Sequence, residues 1–137
     1  MKKLINGTIL IVVVLFSAFS FANLDDSCDG EQTIFDAYTI KGDKHVGVCY
    51  VHGKVRYVYG KDENPEILIN VPREKVEFNQ SGNGDQSVTI PDGDYNYIVG
   101  EYMQGGPFIQ VWKGQNFVAE IKLSGKSLEN NIEQYSN

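Results

Sequence analysis

The chain has 137 residues, with 12 Lys and Arg against 18 Asp and Glu, a formal net charge of −6, two Cys and two His. This is one domain's length, and the acidic balance disfavours nucleic acid and anionic membrane surfaces, which are bound largely through Lys and Arg. It favours a cationic partner through faster, electrostatically steered encounter.

The first 22 residues have the three parts of a secretory signal peptide. Lys2-Lys3 supplies the cationic start, Ile9–Phe16 the apolar centre, and Ser20-Phe21-Ala22 the small residues before a cleavage expected between Ala22 and Asn23. The apolar stretch is short for a membrane span. Cys28 lies six positions beyond Ala22, not at the new N-terminus, which disfavours a lipid anchor. Cleavage also removes Lys2 and Lys3, so the roughly 115 residues left form a single, more acidic domain. The expected location is the periplasm or the extracellular medium. Cys28 and Cys49 are the only cysteines, and an exported chain meets an oxidising compartment, so a Cys28–Cys49 disulfide is expected. The loop it closes is worth about 3 kcal/mol in the chain-entropy model.

From Thr33 to Leu123 the pattern is period-two alternation. Val46, Val48 and Tyr50 share one face of a strand over Lys44–Val51, with Gly47 and Cys49 on the other. After the break at His52-Gly53 come Val55, Tyr57 and Tyr59, then Ile67, Ile69 and Val71 between Pro65 and Pro72. Val88 and Ile90 lead to a turn at Pro91-Asp92-Gly93, and Tyr95, Tyr97 and Val99 follow. Phe108, Gln110 and Trp112 alternate with Ile109 and Val111, and Phe117, Ala119 and Ile121 complete a hairpin across Lys113–Asn116. About eight short strands with tight turns predict a single-domain, all-β antiparallel sandwich or small barrel over residues 23–126. Residues 127–137 read as a polar C-terminal tail, with at most a turn or two of helix near Ser127–Tyr135.

No catalytic set emerges. His45 lies in a strand and His52 in a turn, without a signalled nucleophile or orienting group, and no GxSxG or HExxH is present. The reading is therefore a binding protein and not an enzyme, with no cofactor and no metal. Ser81–Asp85 and Asp92-Gly93-Asp94 are rich in oxygen ligands suited to Ca²⁺, but neither has EF-hand spacing and DGD also serves as a hairpin turn. The aromatics Tyr38, Tyr50, Tyr57, Tyr59, Tyr95, Tyr97, Tyr102 and Trp112 suit a sugar-binding face, although cross-strand packing explains such residues more often. The loop Ser81-Gly82-Asn83-Gly84-Asp85 is the candidate contact surface, because recognition residues concentrate on loops held by a rigid scaffold.

Cys49, the Gly53 turn, Tyr57-Val58-Tyr59-Gly60, the Gly/Ser/Asn loop, Asp92-Gly93-Asp94-Tyr95 and the hairpin Val111-Trp112-Lys113-Gly114 form a recognisable succession. Over roughly Gly47 to Ile121 it resembles the bacterial lysozyme-inhibitor-like domains, small periplasmic or lipid-anchored β-barrels that block C-type lysozyme. The resemblance implies a loop entering a lysozyme cleft, with Ser81, Gly82, Asn83, Asp85 and Tyr95 contacting the partner. The chain differs in having no aromatic after Ser81-Gly82 within the loop and no Lys at Gln104-Gly105-Gly106. The expected function is inhibition of a lysozyme-like peptidoglycan hydrolase. A periplasmic immunity protein against a delivered toxin and a structural component of the cell envelope are the competing readings. Export has a direct test: intact mass of the periplasmic protein should begin at Asn23, and an uncleaved, membrane-extracted form would reject it.

Overall fold

The computed structural model describes Cys28 and Gln32–Ser136; the expected signal peptide and its cleavage point lie outside the described residues. Ten strands form two antiparallel sheets, so the all-β sandwich is the observed architecture. The first sheet holds β1 (Thr33–Tyr38), β2 (His45–Val51), β3 (Lys54–Lys61), β4 (Asn64–Pro72) and β10 (Glu129–Asn130), in the order β10-β1-β2-β3-β4. The second holds β5 (Glu77–Gln80), β6 (Gln86–Asp92), β7 (Tyr95–Tyr102), β8 (Gly106–Lys113) and β9 (Asn116–Lys122), in sequence order.

Apart from the return of β10 to β1, each strand pairs with its neighbour in the chain, and the chain changes sheet only at the edges. Pro72 ends the β4 ladder, because it has no N–H to donate, and a 3-10 turn at Arg73–Lys75 carries the chain over to β5. On the return, Leu123 leaves β9 and bridges Thr39 at the end of β1 before β10 pairs with Phe35 and Asp36. Val76 and Leu123, one at each crossing, are both buried in the core.

Alternation decides what fills the sandwich. Val46, Val48, Val55, Tyr57, Tyr59 and Ile69 from the first sheet meet Val88, Ile90, Val99 and Ile109 from the second. Burial of such side chains contributes roughly 1.5–3 kcal/mol each. Tyr57 is 1% exposed and packs against Tyr97 across the interface, with ring centroids 5.2 Å apart. Burial pushes the Tyr57 phenol well up from its ordinary value. Cys28 and Cys49 are joined, as expected, with Cα atoms 5.5 Å apart, which ties the chain ahead of β1 to the outward side of β2.

The segment expected as a polar tail is part of the domain. Glu129 and Asn130 add a strand to β1, and Ile132, the first residue of helix α1 (Ile132–Tyr135), is fully buried among β1, β5 and β6. Leu128 and Tyr135 also pack against the core, so apolar residues spaced too sparsely to show a helical period still anchor the segment. Arg73 donates through Nη2 to the Tyr135 carbonyl at 2.7 Å and lies over the Phe78 ring, fastening the helix end to the β4–β5 crossing. A charged donor at helix C-terminal carbonyls is a favourable arrangement.

Gly100 sits centrally in β7, opposite Ser87 of β6 and Phe108 of β8. A Cβ there would run into the carbonyl oxygen of Gln86 and come within 2.8 Å of the Ser87 Cα, both backbone atoms. Gly100→Ala should therefore destabilise the protein by about 1–3 kcal/mol, the range for overpacking. Urea unfolding followed by circular dichroism would measure it, and an unchanged midpoint would mean that the β6–β7 pair opens freely.

Candidate functional site

The loop Ser81–Asp85 joins β5 to β6 and is held by hydrogen bonds of its own. The Ser81 N–H donates to the Asp85 carbonyl at 2.9 Å, and Gly84 N–H donates to the Ser81 carbonyl at 3.1 Å. The Asp85 N–H is shared between Ser81 Oγ and Asn83 Oδ1, both at 3.2 Å, while the Ser81 hydroxyl donates to Asn83. Gly84 has φ +96°, in the region where glycine is at no steric disadvantage, and a Cβ there would lie 2.8 Å from Met103 Cγ. Small polar residues thus make a compact turn out of a segment whose composition suggests mobility.

The second half of the site comes from the β7–β8 turn. Asp85 Oδ1 accepts the Met103 N–H at 2.8 Å, so a side chain of one turn satisfies the backbone of the next. The two turns form a single tip, with Met103 riding against Gly84 and 67% exposed. Tyr102 lies flat on Phe108, ring centroids 4.2 Å apart, and its hydroxyl accepts from Gln110 Nε2 at 3.0 Å. Asp85 and Tyr102 together line two depressions. One, of about 220 Å³, lies towards the sheet with Phe108 and Gln110; the other, of about 360 Å³, lies towards Asn83, Gln104 and Gly105.

The C-terminal segment buttresses this end. Asn130 Nδ2 donates to Gln86 Oε1 at 3.1 Å and Glu101 Oε1 at 2.9 Å, and Gln80 reaches Ser136 at 3.3 Å. Ser81, Gly82, Asn83 and Asp85 are therefore together, as their sequence proximity requires. Tyr95 is not with them. The register pairs Asp92 with Tyr95 and Gln86 with Glu101, which places Tyr95 at the opposite end of the β6–β7 hairpin. There it stacks near Tyr97 and lies under the Lys113 ammonium. The aromatic beside the loop is Tyr102. Counting outward from the Asp92–Tyr95 turn would have located it, since seven residues later the same ladder reaches the loop. The register also separates Asp85 from Asp92 and Asp94, and among the described residues no group of three or more His, Cys, Asp or Glu is placed to hold a metal.

A second polar cluster lies on the outward face of the first sheet. His45 Nε2 is 2.6 Å from Asp36 Oδ1, its ring packs against Tyr38 at 4.8 Å, and the Tyr38 hydroxyl donates to Asp62 at 2.9 Å. His52 is at the exposed β2–β3 turn, so the two histidines do not form one site.

The chain matches no protein-family model, and comparison with curated proteins and with solved structures also returns no match.

The Asp36 carboxylate raises the His45 pKa above its ordinary 6.5, against the opposing effect of burial. A raised folded-state value means that the pair's stabilisation is complete below pH 6.5 and is lost as pH rises through the higher folded value. Between pH 6 and pH 9 the urea midpoint of the native protein should fall more than that of His45→Gln. Parallel pH dependences would show that the pair does not couple to folding.

Proposed function

We propose that this protein is an exported binding protein that inhibits a basic, lysozyme-like peptidoglycan hydrolase by seating the tip formed by Ser81–Asp85 and Tyr102–Gly105 in the enzyme's cleft. The observation that carries the reading is the Asp85–Met103 hydrogen bond, which joins two neighbouring turns into one preorganised projection. A loop already held in one conformation loses less entropy on binding than a mobile one. Met103 offers an exposed apolar contact at the centre, Tyr102 an aromatic wall, and the acidic chain attraction towards a basic partner. Tyr95, at the far end of the hairpin, lies outside this contact.

Central, desolvated contacts dominate dissociation, whereas peripheral charges mainly set the association rate. Replacing Ser81 and Asp85 together by Ala should weaken inhibition by about 2 kcal/mol, some thirtyfold, chiefly through faster dissociation. Reversing Asp94, in the turn at the opposite end of the β6–β7 hairpin, should change little beyond the association rate and its salt dependence. The assay is lysis of peptidoglycan by C-, G- and I-type lysozymes with the purified protein in molar excess. Failure to inhibit any of the three would reject the reading, and inhibition surviving the double substitution would remove the tip from it.

A further inference from the structure

The outward face of the second sheet has an arrangement that neither the core nor the tip explains. Alternation that turns Val88, Val99 and Ile109 inward turns Thr89, Asn96, Ile98, Gln110 and Trp112 outward. Trp112 Nε1 donates to Gln110 Oε1 at 3.0 Å, and Gln110 Nε2 donates to Tyr102 Oη and, at 2.9 Å, to Glu120 Oε1. The amide of Gln110 is fully engaged, and the Trp112 ring is held by this bond and by edge contact with Phe117 at 5.4 Å. A depression of about 430 Å³ lies over Thr89, Asn96, Ile98 and Trp112, within the range of small-molecule sites. It meets the smaller depression beside Tyr102 at Ile98, which lines both.

Three features define what fits there. The Trp112 indole and the Ile98 side chain, both half-buried, supply flat apolar surface. Thr89 and Asn96 are half-buried, and their side chains make no hydrogen bond with the described residues, so their donors and acceptors are open to a ligand. Charge is balanced: the two charged residues that line the depression, Lys75 and Glu77, are of opposite sign, leaving no excess to hold an ion. A pyranose ring answers all three, having an apolar C–H face for stacking, hydroxyls at its periphery and no charge. We propose that this face binds an uncharged glycan chain, with Trp112 as the stacking platform and Thr89 and Asn96 as hydroxyl partners.

Trp112 is the only tryptophan in the chain, so its fluorescence reports directly on the site. Titration of the whole protein with cellohexaose and with chitohexaose should give a saturable change in Trp112 emission with at least one of them. Thr89→Ala combined with Asn96→Ala should weaken that affinity by about tenfold, as expected for lost hydrogen bonds. Its thermal midpoint should fall by a few degrees at most, because neither side chain hydrogen-bonds a neighbour and only strand propensity and partial packing are lost. Asp85→Ala, which loosens the tip, should leave the glycan titration unchanged, so failure of the inhibitor reading and failure of this one are separable. Absence of a saturable change up to about 10 mM of both oligosaccharides, the weak end of measurable affinity, would overturn the proposal. So would binding that the double variant leaves intact.

Discussion

The second sheet's register is the constraint on which both surfaces depend. Val88, Val99 and Ile109 stand opposite one another across β6, β7 and β8, and all three are fully buried. A slip of one residue would send all three into water and bring Ser87, Gly100 and Phe108 inward, so the pairing is strongly specified. Once it is set, Gln86 must face Glu101, the β5–β6 and β7–β8 turns must lie side by side, and Asp85 comes within reach of Met103. The same register puts Trp112, Asn96 and Thr89 in line on the outside. Core, tip and groove follow from one choice of phase.

Much of this was legible in the sequence, because alternation and turn residues are local signals. The strands from β2 to β9 whose alternating residues could be read all occur. Phe117, however, departs from the alternation of Ala119 and Ile121, because a bulge opposite Val111 and Trp112 turns it outward beside Trp112. What escaped depends on distance in the chain. Ile132 is a single apolar residue in a polar segment, and its place in the core becomes apparent only once β1, β5 and β6 surround it. Phe78, in the short strand β5, packs against the core with only Val76, two residues earlier and outside the strand, on its face, too short an alternation to announce a strand. The resemblance sets Tyr95, in a strand that follows the loop, beside it as a partner contact. In a hairpin, however, nearness to the turn Asp92-Gly93-Asp94 means remoteness from the other end.

The tip is also better supported than its composition suggests. Ser, Gly and Asn in succession usually imply a loop with many conformations. Here the Ser81, Asn83 and Asp85 side chains are turned back on the loop or on the neighbouring turn, and the Asn130 amide clamps the two strands just behind it. The clamp comes from β10, so the C-terminal segment does more than complete the core. It fixes the spacing of Gln86 and Glu101, and with it the approach of Asp85 to Met103.

Tyr102 connects the two outward surfaces. It walls the depression at the tip, and through Gln110 it belongs to the hydrogen-bonded chain that holds Trp112. A partner pressing on Tyr102 would act on Gln110, whose two N–H groups are divided between Tyr102 and Glu120, and loss of one bond leaves a donor to be satisfied elsewhere. Coupling between sites requires such an element with two arrangements, biased differently by each ligand. The stack of Tyr102 on Phe108 opposes movement, because Phe108 is itself only 2% exposed and the two rings lie in contact. A close-packed ring beneath and a fully engaged amide beside it both resist displacement, so ligands at the two proposed surfaces would act as independent occupants of one sheet.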